Sequence, residues 1–587
     1  MQRPFREQLS AITARCLLLV LCALASVPAR ADIDIGINGV EGDLRGNVLA
    51  YLSFERYKTR DRLRADTIER LHERVEREVR AALRPFGYYD PTVKSSVEPR
   101  GNGEDWRVRI DIEPGKPIVL ETVDVSVTGP RAGDPVFRDI LANLPLRRGE
   151  RLDHATYEKV KSDLQRSAAS YGYLDAHFTR NELLVDPPNH TASAFIAFET
   201  GERYKFGPTE IAQEVIRPEL MRKYLRYQAG QPYDAMELLR TQFALDDSQY
   251  FASVEVLPQQ RDKAALTVPI RISATPNRRS RWSFGVGYGT DTEARGTVSW
   301  DNRIVNNSGH RFRAEVKVAQ VSQQITGRYI WPIGDPALEK FEVEGTWKHQ
   351  ELADLDIYNT EARASVTRVP HRWQRVYYTR LVNAITEDAS TRTESWLVIP
   401  GLSVASVPKG YLGEPLFGRQ LYAELRGSST GLGAKTDYLQ LLASGERVFD
   451  IAPAWHLLLR AEFGTTWADD FDGVPGSERF FAGGDRSVRG FGFNELSPVD
   501  ANGEKTGGKH LAVGTVEVIR DLPRNLGIAV FVDGGNAFND FGDRLEYSAG
   551  VGLRFRLPIA TVGFDIAQAL SVDGASPRLH VNFSPKL

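Results

Sequence analysis

The 587-residue sequence contains two cysteines, Cys16 and Cys22, and both lie within the first 31 residues. That leader reads as an export signal. Arg3, Arg6 and Arg15 supply its positive start, Cys16 to Pro28 form an apolar run, and Ala29-Arg30-Ala31 makes a small-x-small cleavage site. The run is short for a retained anchor, which needs about 20 apolar residues to cross a bilayer. Leu21 before Cys22 stands where a lipid-anchoring signal needs a small residue. The mature chain is therefore expected to begin at Asp32 with no cysteine at all. An oxidising compartment is permitted, but disulfides and thiolate metal sites are excluded.

An excess of positive charge is also lacking. Lys and Arg number 74 against 77 Asp and Glu, and loss of the leader's four Arg and one Glu leaves a net charge of −6. Nothing in that balance points to a nucleic-acid partner. No later segment approaches 18 consecutive apolar residues, which excludes a helical membrane protein but not a β-barrel. The ten histidines form no H-E-x-x-H, and no nucleotide-binding loop is visible. "GSSTG" at Gly427 to Gly431 matches a nucleophile pattern around Ser429, but it follows a strand and precedes no helix, so it reads as a loop. "DDFDG" at Asp469 to Gly473 reads as a solvated acidic turn rather than a calcium site. Neither an enzyme nor a cofactor or metal site is expected.

What the first half does contain is a repeat. "IDIEPGKPI" (Ile110 to Ile118) resembles "IAFETGERY" (Ile196 to Tyr204), and "RGERLD" (Arg148 to Asp153) resembles "AGQPYD" (Ala229 to Asp234). "FGYYDPTV", "YGYLDAHF" and "YFASVEV" each follow a helical segment. Three units of about 75 to 90 residues emerge, each reading as strand, helix, helix, strand, strand. In the first, Ile68, Leu71, Val75, Val79 and Leu83 share a helical face. Asp66 with Glu69, and Asp234 with Glu237, suggest capping boxes, and Asp153 suggests a cap in the second unit.

From about Arg281 the period changes to two. Trp282, Phe284, Val286 and Tyr288 alternate with Ser283, Gly285 and Gly287, and Tyr547, Ala549, Val551, Leu553 and Phe555 alternate with Ser548, Gly550, Gly552 and Arg554. A soluble sandwich alternates too. However, these strands run near ten residues, and their apolar faces end in aromatics such as Trp300, Tyr329, Trp331, Trp347 and Trp467. No helical segment is available to cover them. Lipid must cover the apolar side, and only a closed barrel then pairs every backbone group. Sixteen candidate strands fall between 281 and 584, an even number as outer-membrane barrels require.

The longest gap, about 468–509, holds "FFAGGDRSVRGFGFNELSP", in which Arg489 sits among glycines. A loop of that length is uncommon without a function. In "FVDGGNAF", Ile528, Val530 and Val532 face one way, taken as lipid, and Ala529, Phe531 and Asp533 the other, taken as the lumen. Glu517 is a further inward-facing candidate. On these residues alone, Arg489 either folds inward to a bidentate pair with Asp533 or stays exposed in a flexible loop.

"SVRGF" with "FVDGG", sixteen strands and three β-α-α-β-β units resemble the family of POTRA-domain outer-membrane assembly and secretion barrels. "GYYDP" and "GERYKFG" are similar to its TamA branch, the outer-membrane subunit of the translocation and assembly module. The resemblance implies that Arg489-Gly490-Phe491 folds into the lumen to meet Phe531, Asp533 and Gly535. It also implies a role in inserting or translocating other outer-membrane proteins, autotransporters included. The partners implied are an inner-membrane-anchored, periplasm-spanning protein of TamB type at the first unit, unfolded clients, and outer-membrane lipid. A two-partner channel for one dedicated exoprotein shares the motifs, but such channels usually carry two POTRA units and a plug helix. A passive porin leaves the three units unexplained. The fold class expected is α+β POTRA repeats followed by an all-β transmembrane barrel of 16 antiparallel strands. The division expected is signal 1–31, POTRA units 32–116, 117–203 and 204–278, and barrel 279–587 with an inward loop at 468–509. The ending "RLHVNFSPKL" departs from the usual insertion signal, and Pro585 weakens the last strand, so the seam between first and last strands is expected to be short.

Overall fold

The computed structural model describes residues 33–58, 64–100, 105–291, 293–353, 355–370, 372–387, 392–407, 420–557 and 560–585. The expected leader lies outside them.

The first unit runs β1 (Ile33–Asn38), α1 (Gly42–Tyr51), α2 (Ser53–Tyr57), α3 (Ala65–His72), α4 (Val75–Leu83), β2 (Thr92–Arg100) and β3 (Asp105–Glu113). Its last strand takes the centre of the sheet, parallel to β1 and antiparallel to β2. The apolar face read from Ile68 to Leu83 is buried as expected but is shared by two helices, α3 and α4. Asp66 does not cap α3: Arg64 occupies that position with no side-chain bond, and Asp66 lies inside the first turn. There its charge meets the helix dipole instead of closing a capping box.

The second unit repeats the plan with β4 (Val119–Thr128), α5 (Pro135–Ala142), α6 (His154–Ser170), β5 (His177–Asp186) and β6 (Thr191–Glu199). Asp153 caps α6 through Oδ1, which accepts the Ala155 N–H at 2.9 Å. The third has β7 (Lys205–Ala212), α7 (Pro218–Tyr224), α8 (Ala235–Asp247), β8 (Phe251–Pro258) and β9 (Thr267–Pro276). Asp234 accepts the Met236 N–H at 2.8 Å at the start of α8. In each sheet the final strand is central, leaving β2, β5 and β8 as antiparallel edges.

Sixteen antiparallel strands follow in sequence order. They are β10 (Ser280–Gly289), β11 (Glu293–Asn302), β12 (Arg311–Ala319), β13 (Ser322–Pro332), β14 (Glu339–Leu352), β15 (Leu355–Arg368), β16 (Trp373–Glu387) and β17 (Arg392–Ser406). Then come β18 (Gln420–Ser428), β19 (Tyr438–Ala452), β20 (Trp455–Ala468), β21 (His510–Leu522), β22 (Leu526–Phe538), β23 (Glu546–Arg556), β24 (Ala560–Ala569) and β25 (Arg578–Pro585). Alternation sorts the faces. On β22, Ile528, Val530 and Val532 are exposed while Ala529, Phe531 and Asp533 are buried. At the end where β10 begins, Trp282 stacks on Trp300, Trp300 meets Phe312 edge-on, and Tyr329, Trp331 and Phe341 continue the band. A row of aromatic rings, with Trp and Tyr among them, is what an interfacial girdle provides.

The strands at the seam are short. β10 has 10 residues and β25 has 8, comparable with β12 and β18 with 9 each and shorter than β14 to β17 with 14 or 15. Among the described residues no ladder joins β10 to β25, so the barrel is nearly rather than fully closed. Pro585 sits at the end of the β24–β25 ladder opposite Ala560, and Lys586 and Leu587 lie outside the described residues.

Candidate functional site

The segment between β20 and β21 folds into a hairpin of its own. Phe480 and Gly508 exchange backbone hydrogen bonds of 3.0 and 2.7 Å, and Ala482 and Leu496 exchange two of 2.9 Å. Phe480, Ala482, Val488, Phe491 and Leu496 then pack on Leu511, Val513, Ala537 and Ala569 of the wall. Small and apolar inward residues on β21, β22 and β24 thus give the loop a dry seat inside the barrel, and burial of its own apolar side chains favours that seat.

At the tip, Arg489 is 3% exposed, and its guanidinium reaches three strands. Nε and Nη2 donate to the two oxygens of Asp533 on β22 at 2.7 and 2.9 Å, and the Arg489 backbone N–H adds a third bond to that carboxylate at 3.1 Å. Nη1 donates to Glu517 on β21 at 2.9 Å and to Asp565 on β24 at 3.1 Å. The guanidinium lies 3.3 Å from the centre of the Phe531 ring. Arg554 on β23 completes the cluster, donating to Glu517 at 2.7 and 3.1 Å and pairing with Asp565. Two cations and three carboxylates therefore share one buried network. Paired ions of this kind are held in place by geometry, since each loses its hydration on burial. A cation facing an aromatic ring adds attraction that strengthens with desolvation.

The structure brings together Arg489, Asp533, Glu517 and Phe531. Gly490 donates its N–H to His580 on β25 at 2.9 Å, and Phe491 is buried in the loop core. Gly535 touches none of the ions. It keeps the strand pair close: a Cβ there would lie 2.4 Å from the Ala512 carbonyl oxygen.

Sequence reasoning missed a second anchor, of opposite sign. Glu478, 3% exposed, accepts from Arg380 Nη2 on β16 at 3.1 Å to each oxygen and pairs with Arg426 Nη2 on β18 at 3.2 Å. Gln440 on β19 donates to the Glu478 carbonyl at 2.7 Å. Asp565 and Arg554 were missed as site residues as well. Their signal was present, because each is a charge at an inward position between exposed apolar neighbours: Phe564 and Ile566 flank one, Leu553 and Phe555 the other.

Residues 417–584 match the Omp85 superfamily domain, and residues 34–114 match POTRA domain TamA domain 1. A stretch of 141 residues is 28% identical to the outer membrane protein assembly factor BamA of Nitratidesulfovibrio vulgaris, covering 23% of this chain and 18% of that protein. The match thus spans less than a fifth of that relative's length. The crystal structure of BamA from Haemophilus ducreyi lacking POTRA domains 1-3 superposes with a TM-score of 0.64 at 15% identity, over 79% of this chain and 100% of that one. CdiB from Acinetobacter baumannii gives a TM-score of 0.44 at 13% identity, over 80% and 90% of the two chains.

Proposed function

We propose that this chain, an outer-membrane barrel of the Omp85 superfamily with periplasmic POTRA domains and a TamA-type first one, aids the insertion of other outer-membrane proteins and autotransporters. The observation that carries the reading is the seam. β10 pairs with β11 on one side only among the described residues, and its outward face (Trp282, Phe284, Val286, Tyr288) is exposed. A strand edge with unpaired N–H and C=O groups in lipid is a template for another strand. On this reading an incoming client strand pairs with the seam, and client folding supplies the driving force, aided by local bilayer thinning.

The POTRA edges offer a similar template in the periplasm. β5 and β8 are edge strands that expose Leu184 and Leu257, which supports β-augmentation of an unfolded client there. The first POTRA domain is the proposed dock for a periplasm-spanning, inner-membrane-anchored protein of TamB type. The loop anchored by Arg489 is proposed to hold the lumen in order while clients engage the seam.

A disulfide between cysteines placed on β10 and β25 tests the proposal. Client assembly is expected to stop while the barrel stays folded, and normal assembly with the seam locked refutes it. The same experiment separates a two-partner secretion channel from an assembly factor. Loss of one exoprotein alone favours the former, and loss of several unrelated barrels the latter.

A further inference from the structure

At the rim where β10 ends, the inward loop passes between the first and last strands. The Asp485 N–H donates to Asp291 Oδ2 at 2.7 Å, and the Thr290 hydroxyl donates to Asp485 Oδ1 at 2.9 Å. Thr290 and Asp291 directly follow β10. From the other side, the Val581 N–H of β25 donates to Thr290 Oγ1 at 3.1 Å, and His580 Nδ1 lies 2.6 Å from Asp485 Oδ1. Gly484 makes this approach possible. Its φ is +105°, and a Cβ would lie 2.6 Å from Asp291 Oδ2.

Asp291, Asp485 and His580 place ligand atoms within 4.8 Å of one another, the spacing of a cation site. The hydrogen bonds argue against that use. The Gly490 N–H donates into His580 Nε2 at 2.9 Å, so Nε2 spends its lone pair there. The proton of the neutral ring then sits on Nδ1 and is donated to Asp485. No ring lone pair remains for a metal.

We infer that Asp485 and His580 form a clasp that holds the rim of the seam shut, and that the Arg489 anchor sets it. The bond from Gly490, adjacent to Arg489, fixes the His580 ring. The ring bonds Asp485, and Asp485 with Thr290 ties β25 to the end of β10. Withdrawal of the loop removes Gly490 and Asp485 together and, among the described residues, leaves the two strands the Val581–Thr290 bond at this rim. Asp485 and His580 are thus positioning residues that make seam opening conditional on the loop. The inference rests on the seam reading proposed above but is tested without it.

The full chain in lipid nanodiscs is labelled with spin probes at V286C and L579C, lipid-facing positions on β10 and β25, and the inter-label distance distribution is recorded. Cys16 and Cys22 are replaced by serine, so the chain carries no other label site. Asp485→Ala and His580→Ala are expected to raise the long-distance population about tenfold, the weight of one net hydrogen bond to a charged group. Asp485→Asn, whose carbonyl oxygen accepts the same two hydrogens without the charge, is expected to open less than the alanine variant. Thr290→Val lies outside the barrel strands and repeats the test should His580→Ala fail to fold. Unchanged distances in the folded Asp485→Ala and Thr290→Val variants overturn the clasp. So does opening of Asp485→Asn as far as the alanine variant. The readout is a distance, so a seam lock that leaves client assembly intact would refute the proposed function without touching this result.

Discussion

Replacing Arg489 with alanine should release the loop tip, and the structure sets the size of the effect. Asp533 is 0% exposed, and both side-chain hydrogen bonds to its carboxylate come from Arg489. Glu517 and Asp565 fare better, because each keeps Arg554. The variant therefore leaves one carboxylate buried without a counter-charge, which costs about 3–5 kcal/mol. Loss of the stacked Phe531 contact adds about 0.5–2 kcal/mol. Even the lower bound of the first cost alone, about 3 kcal/mol, corresponds to a shift of at least roughly a hundredfold toward the withdrawn loop. Hydrogen exchange at the Gly490 amide reports this directly, since its partner, His580, is on the wall rather than in the loop. The loop's internal amides are poor reporters, because the Ala482–Leu496 pair travels with the loop. Exchange at Gly490 should accelerate at least about a hundredfold while the barrel strands stay protected. Arg489→Ala with Asp533→Ala should recover part of the loss, because the orphaned charge is gone. Unchanged Gly490 protection in the folded Arg489→Ala variant, or a double variant worse by the full sum, refutes the reasoning.

Two further outcomes follow from the site. Glu478→Gln should loosen the other end of the loop by about 1–3 kcal/mol, since Arg380 retains Glu361 and Arg426 retains Glu424; exchange in the 474–480 segment measures it. Gly535→Ala should destabilise the barrel by about 1–3 kcal/mol, because the added carbon meets backbone of β21 at 2.4 and 2.7 Å that cannot yield; the urea midpoint of barrel unfolding reads the loss.

The barrel was legible because period two is a local signal. Each strand of β10 to β25 declares its faces within ten residues, and the turns between them carry the count of sixteen. The POTRA helices were legible from their apolar stripe, although the stripe of Ile68 to Leu83 conceals a break between His72 and Val75. Sheet order in the POTRA domains was not legible, since a parallel β1–β3 pair closes across more than 60 residues with no local mark. The meeting of Arg489 with Asp533 could not be chosen from spacing either. For residues 44 apart the exposed loop was the favoured reading on physical grounds, and the family resemblance reversed the choice. Glu478 escaped because its partners are 98 and 52 positions away, on strands where an inward arginine looks like ordinary lumen polarity.

The two anchors have opposite sign, and that has a consequence for how the loop is held. Arg489 enters an acidic pocket formed by β21, β22 and β24, while Glu478 enters a basic one formed by β16 and β18. A reversed or slipped loop sets arginine against arginine and carboxylate against carboxylate, which is disfavoured by several kcal/mol. Apolar packing alone penalises such slips far less, because any dry contact of similar area substitutes for another. Yet the same ions add little net affinity for the lumen, since the attraction gained is offset by the hydration each group gives up. The ions thus fix the loop's register, while its apolar packing on the wall holds it in place. Such a device suits a barrel whose first and last strands share no ladder among the described residues, because it keeps the interior in one register.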